Sequence, residues 1–212
     1  MVDEADLGER PATLAGIETA IHACRRCPIG FLDNTAVMGE GPRKAELMIV
    51  GEQPGDREDL AGRPFVGPAG RVLETHLAHA GIDRRQVFLT NAVKHFKYVP
   101  RGKRRLHQSP TAREIDICRW WLEGERAIVK PRLLLALGST AARGLLGKTV
   151  SISKVRGQPH ALDDGSELWV TVHPSYLLRL RDEAKDEQER LFQADLAAVR
   201  ERLAKLAREP SR

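Results

Sequence analysis

The amino-acid sequence predicts an α/β fold, a three-layer α/β/α sandwich around a mostly parallel central sheet of four strands. Two observations predict it: four short apolar runs recur along the chain, and helical stretches or long loops separate them. Strands that alternate with helices pack best as a parallel sheet covered on both faces. At 212 residues the chain fits one core, so residues 1–212 are expected to form a single domain.

The first predicted element is a helix over Ala12 to Cys24, which leads into a pair of cysteines. Residues 12–30 are therefore expected to form a helix followed by a metal loop. The apolar positions of the helix recur at helical spacing: Leu14, Ile17, Ala20 and Ile21.

Four buried strands and a long C-terminal helix follow. The strands are predicted over Leu47 to Gly51, Val87 to Asn91, Leu133 to Leu137, and Leu168 to His173. The helix is predicted over about residues 183–207, where apolar residues recur every three or four positions. We expect its apolar stripe to pack on the sheet.

The composition is that of a globular protein with a modest excess of positive charge. Apolar residues make up 42% of the chain, charged residues 30%, and the formal net charge is +5. This charge is compatible with a polyanionic partner, although the cations are spread along the chain. Residues Met1 to Ala12 lack the apolar segment of a signal peptide, and no run approaches the roughly 20 apolar residues of a membrane span. A cytoplasmic protein is expected, and nothing demands more than a monomer.

One nucleotide-binding motif is matched only in part. The run from Gly144 to Thr149 resembles the end of a phosphate-binding P-loop, but Ala142 stands where the leading glycine should be. The run also ends a predicted helix instead of following a strand. An NTPase is therefore excluded.

Residues that can hold a nucleobase follow or flank the predicted strands, where ligands of α/β sheets bind. Phe65, in a glycine-rich loop, can stack on a flat ring. Asn91 offers the donor and acceptor that uracil's O4 and N3–H require. His173 can donate to the uracil oxygen that gains negative charge as the glycosidic bond breaks. Taken singly, each also fits an ordinary role as a core, turn or satisfied residue.

Four ordered motifs together resemble those of family-four uracil-DNA glycosylases, over roughly Cys24 to Leu178. They are Gly51-Glu-Gln-Pro-Gly55, Arg63-Pro-Phe-Val-Gly67, Asn91-Ala-Val-Lys94 and His173-Pro-Ser175.

The resemblance implies a role for each motif residue. Phe65 would stack on uracil, and Asn91 and His173 would read it. Glu52 would be important for catalysis, with backbone contacts from Gln53. Asp56, directly after the first motif, is expected to contact the substrate, and Ser175 of the last motif is expected to contact the DNA backbone.

A basic segment that ends in histidine separates branches of the family. Lys103, Arg104 and Arg105 precede Leu106 and His107, and the segment closely resembles the loop that marks the UdgX branch. The three cations are expected to contact DNA phosphates whatever His107 does.

The resemblance leads to a hypothesis of covalent capture. Cleavage of the glycosidic bond leaves an electron-poor sugar C1′, which water captures in ordinary family members. Here His107 is expected to attack instead and to form an adduct that ends the reaction, with Glu52 orienting the ring or accepting its proton. Two alternatives stay open: a conventional hydrolytic glycosylase, and a non-catalytic, metal-stabilised DNA-binding module.

The three cysteines suggest a metal site, because an odd number cannot form a closed set of disulfides. Cys24 and Cys27 have metal-ligand spacing, and Cys118 resembles a cluster-binding cysteine of the family. His95 stands where most of the family has the fourth cysteine. The resemblance implies a [4Fe–4S] cluster, while three cysteines and one histidine would also suit structural zinc.

Overall fold

Helices and strands alternate along the chain, and the computed structural model describes residues 8–209. Its strands are β1 (Leu47–Gly51), β2 (Val87–Asn91), β3 (Tyr98–Arg101), β4 (Arg104–His107), β5 (Leu133–Leu137), β6 (His160–Ala161) and β7 (Glu167–Thr171). Its helices are α1 (Leu14–His22), α2 (Asp56–Ala61), α3 (Pro68–His79), α4 (Ala112–Val129), α5 (Gly138–Leu146), α6 (Ile152–Val155), α7 (Pro174–Leu177) and α8 (Asp182–Leu206).

The central sheet has five strands in the order β2-β1-β5-β7-β6. The first four run parallel, so their carboxyl ends meet at one edge, where Gly51 of β1 lies opposite Asn91 of β2. Strand β6 pairs antiparallel with β7. The predicted α/β class is confirmed, and the predicted number of strands is one too few. The two-residue β6 has no apolar run that could have indicated it.

Helices cover both faces of the sheet. On one face, α3 and α8 pack against Leu47 and Ile49, and Phe192 of α8 is fully buried there. On the other face, α4 and α5 pack against Met48 and Val50. Successive strand residues point to opposite faces, and both faces are buried, which explains the continuous apolar runs.

A third apolar cluster joins the N-terminal helix to α4. Thr13 caps α1 by accepting a hydrogen bond from the Gly16 N–H (3.0 Å). Ile17 and Ile21 are fully buried in one cluster with Trp121 of α4. This packing holds the segment that follows α1 close to α4.

Strands β3 and β4 form an antiparallel hairpin where the sequence predicts only a basic loop. This segment contains Pro100 and exposed charged residues, so a search for apolar runs does not detect its strands. Gly102 at the turn has a φ of +58°, which glycine adopts without steric penalty. The register pairs Tyr98 with His107 and Pro100 with Arg105, so these residues share one face of the hairpin.

In the described part of the chain, no helix combines the length and the apolar character that a membrane span requires. The assignment of residues 1–212 to a single domain stays a prediction. Met1 to Leu7, which hold most of the segment searched for a signal peptide, lie outside the described residues.

Candidate active site

An aromatic ring and a side-chain amide flank a glycine at the edge where β1 and β2 end. A Cβ atom built on Gly51 would lie 2.4 Å from Asn91 Oδ1 and 2.7 Å from Phe65 Cζ. Both groups therefore border the space next to this glycine. The structure brings together the residue expected to stack on a base and the residue expected to read it.

The Phe65 ring reaches this space from an unusual backbone conformation. The φ of Phe65 is +57°, in the left-handed region, which costs a non-glycine residue about 1–2 kcal/mol. Gly70 allows the turn to close, since a Cβ there would lie 1.9 Å from Phe65 O. Strain of this kind is concentrated at functional sites, and it is consistent with a precisely placed ring.

His173 follows β7 and caps α7. Its Nδ1 accepts a hydrogen bond from the Ser175 N–H (3.2 Å), which assigns the proton of the neutral ring to Nε2. Burial lowers the pKa of His173 to about 4, against the opposing charge of Glu52. The ring is therefore neutral at pH 7 and can donate through Nε2. The Ser175 hydroxyl also lies against the ring, 2.9 Å from Nδ1, and accepts a hydrogen bond from Arg179 (3.2 Å).

Glu52 follows β1 and lies between His107 and α5. Its Oε1 is 3.2 Å from His107 Nε2, and its Oε2 accepts a hydrogen bond from Thr140 Oγ1 (3.1 Å). Burial by itself would raise the pKa of the Glu52 carboxyl, but the contacts with His107, His173 and Thr140 hold that pKa below its usual value. Glu52 is thus a carboxylate at neutral pH. Its buried Oε1 has no aligned hydrogen-bond donor among residues 8–209, so the contact with His107 is close without being well directed.

Gln53 fastens the hairpin that carries His107. Its Nε2 donates to Gln108 O (3.0 Å) and to Lys97 O (3.3 Å), and its Oε1 accepts from the Lys97 N–H (3.1 Å). The side chain of Gln53 therefore joins the two segments that flank the hairpin, a role that the sequence analysis missed. The His107 side chain is 51% exposed, so a DNA sugar can approach it from solvent.

The cations of the hairpin have different surroundings. Arg105, on the inner face, donates to Asp56 Oδ1 (2.7 Å) and Asp59 Oδ2 (2.5 Å). Lys103 and Arg104 are exposed and form no ion pair within the part of the chain that the structure describes. The expected DNA contacts of the three cations, and the expected substrate contact of Asp56, stay predictions. Arg105 and Asp56 are engaged with each other.

The three cysteines lie near α1 and α4. Cys27 and Cys118 are buried in the same apolar cluster, and Cys24 is partly buried beside it. Cys24 Sγ accepts a hydrogen bond from Trp121 Nε1, and Cys118 Sγ accepts one from the Lys94 N–H, both at 3.3 Å. Burial raises the pKa of the Cys118 thiol to about 12. A bound metal would supply the positive charge that such a buried thiolate needs.

His95, the expected fourth ligand, is buried one residue after Lys94. Within residues 8–209, no group of three or more His, Cys, Asp or Glu side chains converges as a single metal ion requires. A single zinc ion holds all its ligands within about 2.3 Å, whereas the ligands of a [4Fe–4S] cluster bind different iron atoms and lie farther apart. The choice between a [4Fe–4S] cluster and structural zinc at these residues stays a prediction.

Two side chains at this site were missed by the sequence analysis. Thr140 of α5 binds Glu52, and Arg179, just after α7, binds Ser175. Both follow strands of the parallel sheet, but several residues after the strand ends. A wider search after each apolar run would have included them.

Known proteins resemble this chain over most of its length. The family profile described as the Uracil DNA glycosylase superfamily matches residues 38–197. A type-4 uracil-DNA glycosylase of Thermotoga maritima is 39% identical over 166 residues, which cover 78% of this chain and 83% of that protein. The type-4 enzyme of Pyrobaculum aerophilum is 37% identical over 194 residues, or 87% of this chain and 91% of that protein. The type-4 enzyme of Archaeoglobus fulgidus is 33% identical over 187 residues, covering 85% and 90%.

Proposed function

Because the chain belongs to the uracil-DNA glycosylase superfamily, we propose that it excises uracil from DNA in base excision repair, as its type-4 relatives are named for doing. One observation carries the proposal for the site. Phe65 and Asn91 border one space at the carboxyl edge of the sheet, and Glu52 and His173 follow β1 and β7, which end at that same edge on either side of β5.

In the proposed reaction, uracil stacks on Phe65 and turns its polar edge toward Asn91. The Asn91 amide donates to O4 and accepts from N3–H, whereas cytosine presents the opposite pattern and is rejected. Breaking the C1′–N1 bond sends its electron pair to the base, and negative charge gathers on uracil O2. The neutral His173 donates its Nε2–H to that oxygen. The carboxylate of Glu52 stabilises the positive charge that remains on the sugar.

We further propose that His107 captures the sugar, which would place the chain in the UdgX branch. A lone pair of the neutral imidazole forms a C–N bond to C1′ in place of the broken bond to uracil. The ring becomes an imidazolium, and its remaining N–H proton passes through solvent to the uracil anion, so that charge and atoms balance. The 3.2 Å distance from Glu52 Oε1 to His107 Nε2 supports this step, because the carboxylate stabilises the imidazolium.

A denaturing gel with uracil-containing single-stranded DNA tests capture. The wild-type protein should give a slow, denaturant-resistant band and one equivalent of uracil. His107→Ser should lose the band yet still release uracil, because water then reaches C1′. A thymine-containing strand is the control.

Each other outcome contradicts a defined part of the proposal. If His107→Ser still forms the adduct, His107 is not the nucleophile. If the wild type releases uracil over many turnovers without a band, the chain is a conventional hydrolytic glycosylase. If it binds both strands equally and releases no base, it is a non-catalytic DNA-binding module.

We propose that the strand runs along the outer face of the β3–β4 hairpin. This face carries Arg101 and Arg104 beside the exposed cross-strand pair Val99 and Leu106, with Lys103 at the turn. Exposed cations with apolar side chains between them suit a single strand, whose phosphates and unstacked bases they can contact together. We therefore propose uracil-containing single-stranded DNA as the partner, and we expect the protein to act as a monomer.

We propose that Cys24, Cys27, His95 and Cys118 hold a [4Fe–4S] cluster. When bound, it supplies a rigid connection between the segment after α1, the segment after β2, and α4; the bond-breaking residues act without it. Protein purified without oxygen should be brown, with broad visible absorbance and matching amounts of iron and sulfide. Colourless protein that contains one equivalent of zinc would contradict the cluster.

A further inference from the structure

A buried ion pair adjoins the proposed base-reading residue. The side chains of Lys94 and Glu125 are both 0% exposed, and Lys94 Nζ lies 2.7 Å from Glu125 Oε2. Lys94 follows Asn91 by three residues, and Glu125 lies on α4, on the face of the sheet that α4 and α5 cover. Neither residue has a part in the reaction proposed above.

The hydrogen bonds of this pair are complete. The Lys94 ammonium donates to Thr90 Oγ1 (2.6 Å), to Asn91 O (2.8 Å) and to Glu125 Oε2 (2.7 Å). Glu125 also accepts from the Thr90 hydroxyl (2.7 Å) and from the Gly39 N–H (2.8 Å). A buried network with every donor and acceptor satisfied holds its members in one arrangement.

A contribution to folding stability does not by itself explain why the chain contains this buried ion pair. A buried ion pair can often be replaced by apolar side chains of similar volume with little loss of stability, since desolvation offsets much of the attraction between the charges. Among the contacts that apolar side chains could not reproduce, the hydrogen bond from Lys94 to Asn91 O is the one that reaches the proposed base-reading residue.

That hydrogen bond completes the fixation of one peptide group. The Ala92 N–H donates to Gly51 O (2.9 Å), and the Asn91 carbonyl accepts from Lys94 (2.8 Å). Because the peptide group is planar, holding its N–H and its C=O fixes the plane between Asn91 and Ala92. Asn91 itself ends β2 and lies opposite Gly51 of β1, so its backbone is held on both sides and the direction of its Cα–Cβ bond is fixed.

We propose that Lys94 and Glu125 are positioning residues, which fix the Asn91 peptide and thereby aim the Asn91 amide at uracil. The inference rests on the proposed function in one respect, the assignment of Asn91 as the reader of the base. The pair contacts neither substrate nor the reacting atoms and acts through Asn91.

The test uses the double substitution Lys94→Met/Glu125→Gln in the full chain. Met fills the volume of the lysine side chain, and Gln keeps an oxygen for the Gly39 N–H while its amide N–H can donate to the Thr90 hydroxyl, so no buried charge is left unpaired. The melting temperature should stay close to that of the wild type. The inhibition constant of free uracil should rise roughly tenfold or more, as expected when an oriented hydrogen-bonding pair is lost. The ratio of the inhibition constants for cytosine and uracil should fall toward one.

A matched control lies on α8, against the end of β7. Asp195 accepts hydrogen bonds from Thr171 Oγ1 and from Arg156 Nε, in a mostly buried cluster of similar composition. Asp195→Asn should lower the melting temperature and leave the uracil inhibition constant unchanged. If it weakens uracil binding as much as the double substitution does, the effect of Lys94 and Glu125 is one of stability alone, and the proposal is wrong.

Two further comparisons distinguish a failure of the base-reading role of Asn91 from a failure of the positioning role of Lys94 and Glu125. If Asn91→Ala leaves uracil inhibition unchanged, the base-reading role in the proposed function fails. If Asn91→Ala abolishes inhibition while the folded double variant binds uracil like the wild type, only the positioning role fails. Should the double variant not fold, Glu125→Gln decides, because it removes the charged acceptor of Lys94 while keeping an oxygen for the Gly39 N–H. The uracil inhibition constant of Glu125→Gln must then exceed that of Asp195→Asn, and equal constants would overturn the proposal.

Discussion

Replacing Gly51 with alanine should fill part of the space proposed to bind uracil. The added Cβ would lie 2.4 Å from Asn91 Oδ1 and 2.7 Å from Phe65 Cζ. Carbon and oxygen atoms rarely approach more closely than about 3.3 Å, and carbon atoms pack at about 3.5–4.0 Å. Both groups must therefore move by roughly 0.8–0.9 Å, given these contact distances.

A displacement of this size is large for a site that positions a base. A misplacement of about 1 Å costs on the order of a hundredfold in rate, which is about 2.7 kcal/mol. The single-turnover rate of uracil release by Gly51→Ala should fall by about that factor, and the inhibition constant of free uracil should rise in parallel. Overpacking at the end of β1 should cost about 1–3 kcal/mol of folding stability.

Gly16→Ala serves as the control, since Gly16 lies in α1, away from the sheet, and alanine favours a helix. This variant should release uracil at the wild-type rate. The reasoning would be refuted if Gly51→Ala released uracil as fast as the wild type. The space between Gly51, Asn91 and Phe65 would then not be the uracil site.

Two further predictions concern the hairpin and the effect of pH. Arg105→Gln removes the charged hydrogen bonds to Asp56 and to Asp59, which is 3% exposed. A loss of about 2 kcal/mol would lower the equilibrium constant for docking of the hairpin about 30-fold. The share of product trapped as adduct should fall while uracil release continues, and an unchanged ratio of adduct to free abasic DNA would contradict the tethering role. The pKa of His173 is about 4 in the folded protein against 6.5 in the unfolded chain. The unfolded chain thus binds the proton more readily, so stability is complete above about pH 6.5 and falls by at most about 3 kcal/mol as the pH drops toward 4. Urea unfolding at pH 7 and pH 4.5 should show a smaller acid destabilisation in His173→Gln than in the wild type, and equal losses would show that His173 is not the group responsible.

The part of the site that the sequence could predict is the part that strand ends determine. Glu52, Asn91 and His173 each follow an apolar run, and a parallel sheet brings the carboxyl ends of its strands to one edge. Their proximity therefore follows from the alternation of strands and helices. Three of the four predicted strands have the observed bounds, because each is buried on both faces and reads as an unbroken apolar run.

The features that the sequence could not reveal depend on contacts between distant residues. The β3–β4 hairpin has little apolar content, and it is ordered by partners such as Asp56, which lies 49 residues before Arg105. The ion pair of Lys94 and Glu125 joins residues 31 positions apart, on a strand end and a helix. In neither case does a local pattern of spacing or polarity identify the partner.

The structure separates the proposed excision and capture into two mechanical units. Asn91 ends β2 and His173 follows β7 of the sheet, whereas His107 lies on a hairpin that Gln53 and Arg105 fasten to the segment after β1. A change at the sheet edge should therefore abolish both steps, because no sugar cation forms without excision. A change in the hairpin tethers should affect capture alone and allow water to complete the reaction. Whether the sugar is trapped or hydrolysed then depends on the free energy with which the β3–β4 hairpin docks. Removal of a few of its tethering contacts should therefore convert trapping into turnover.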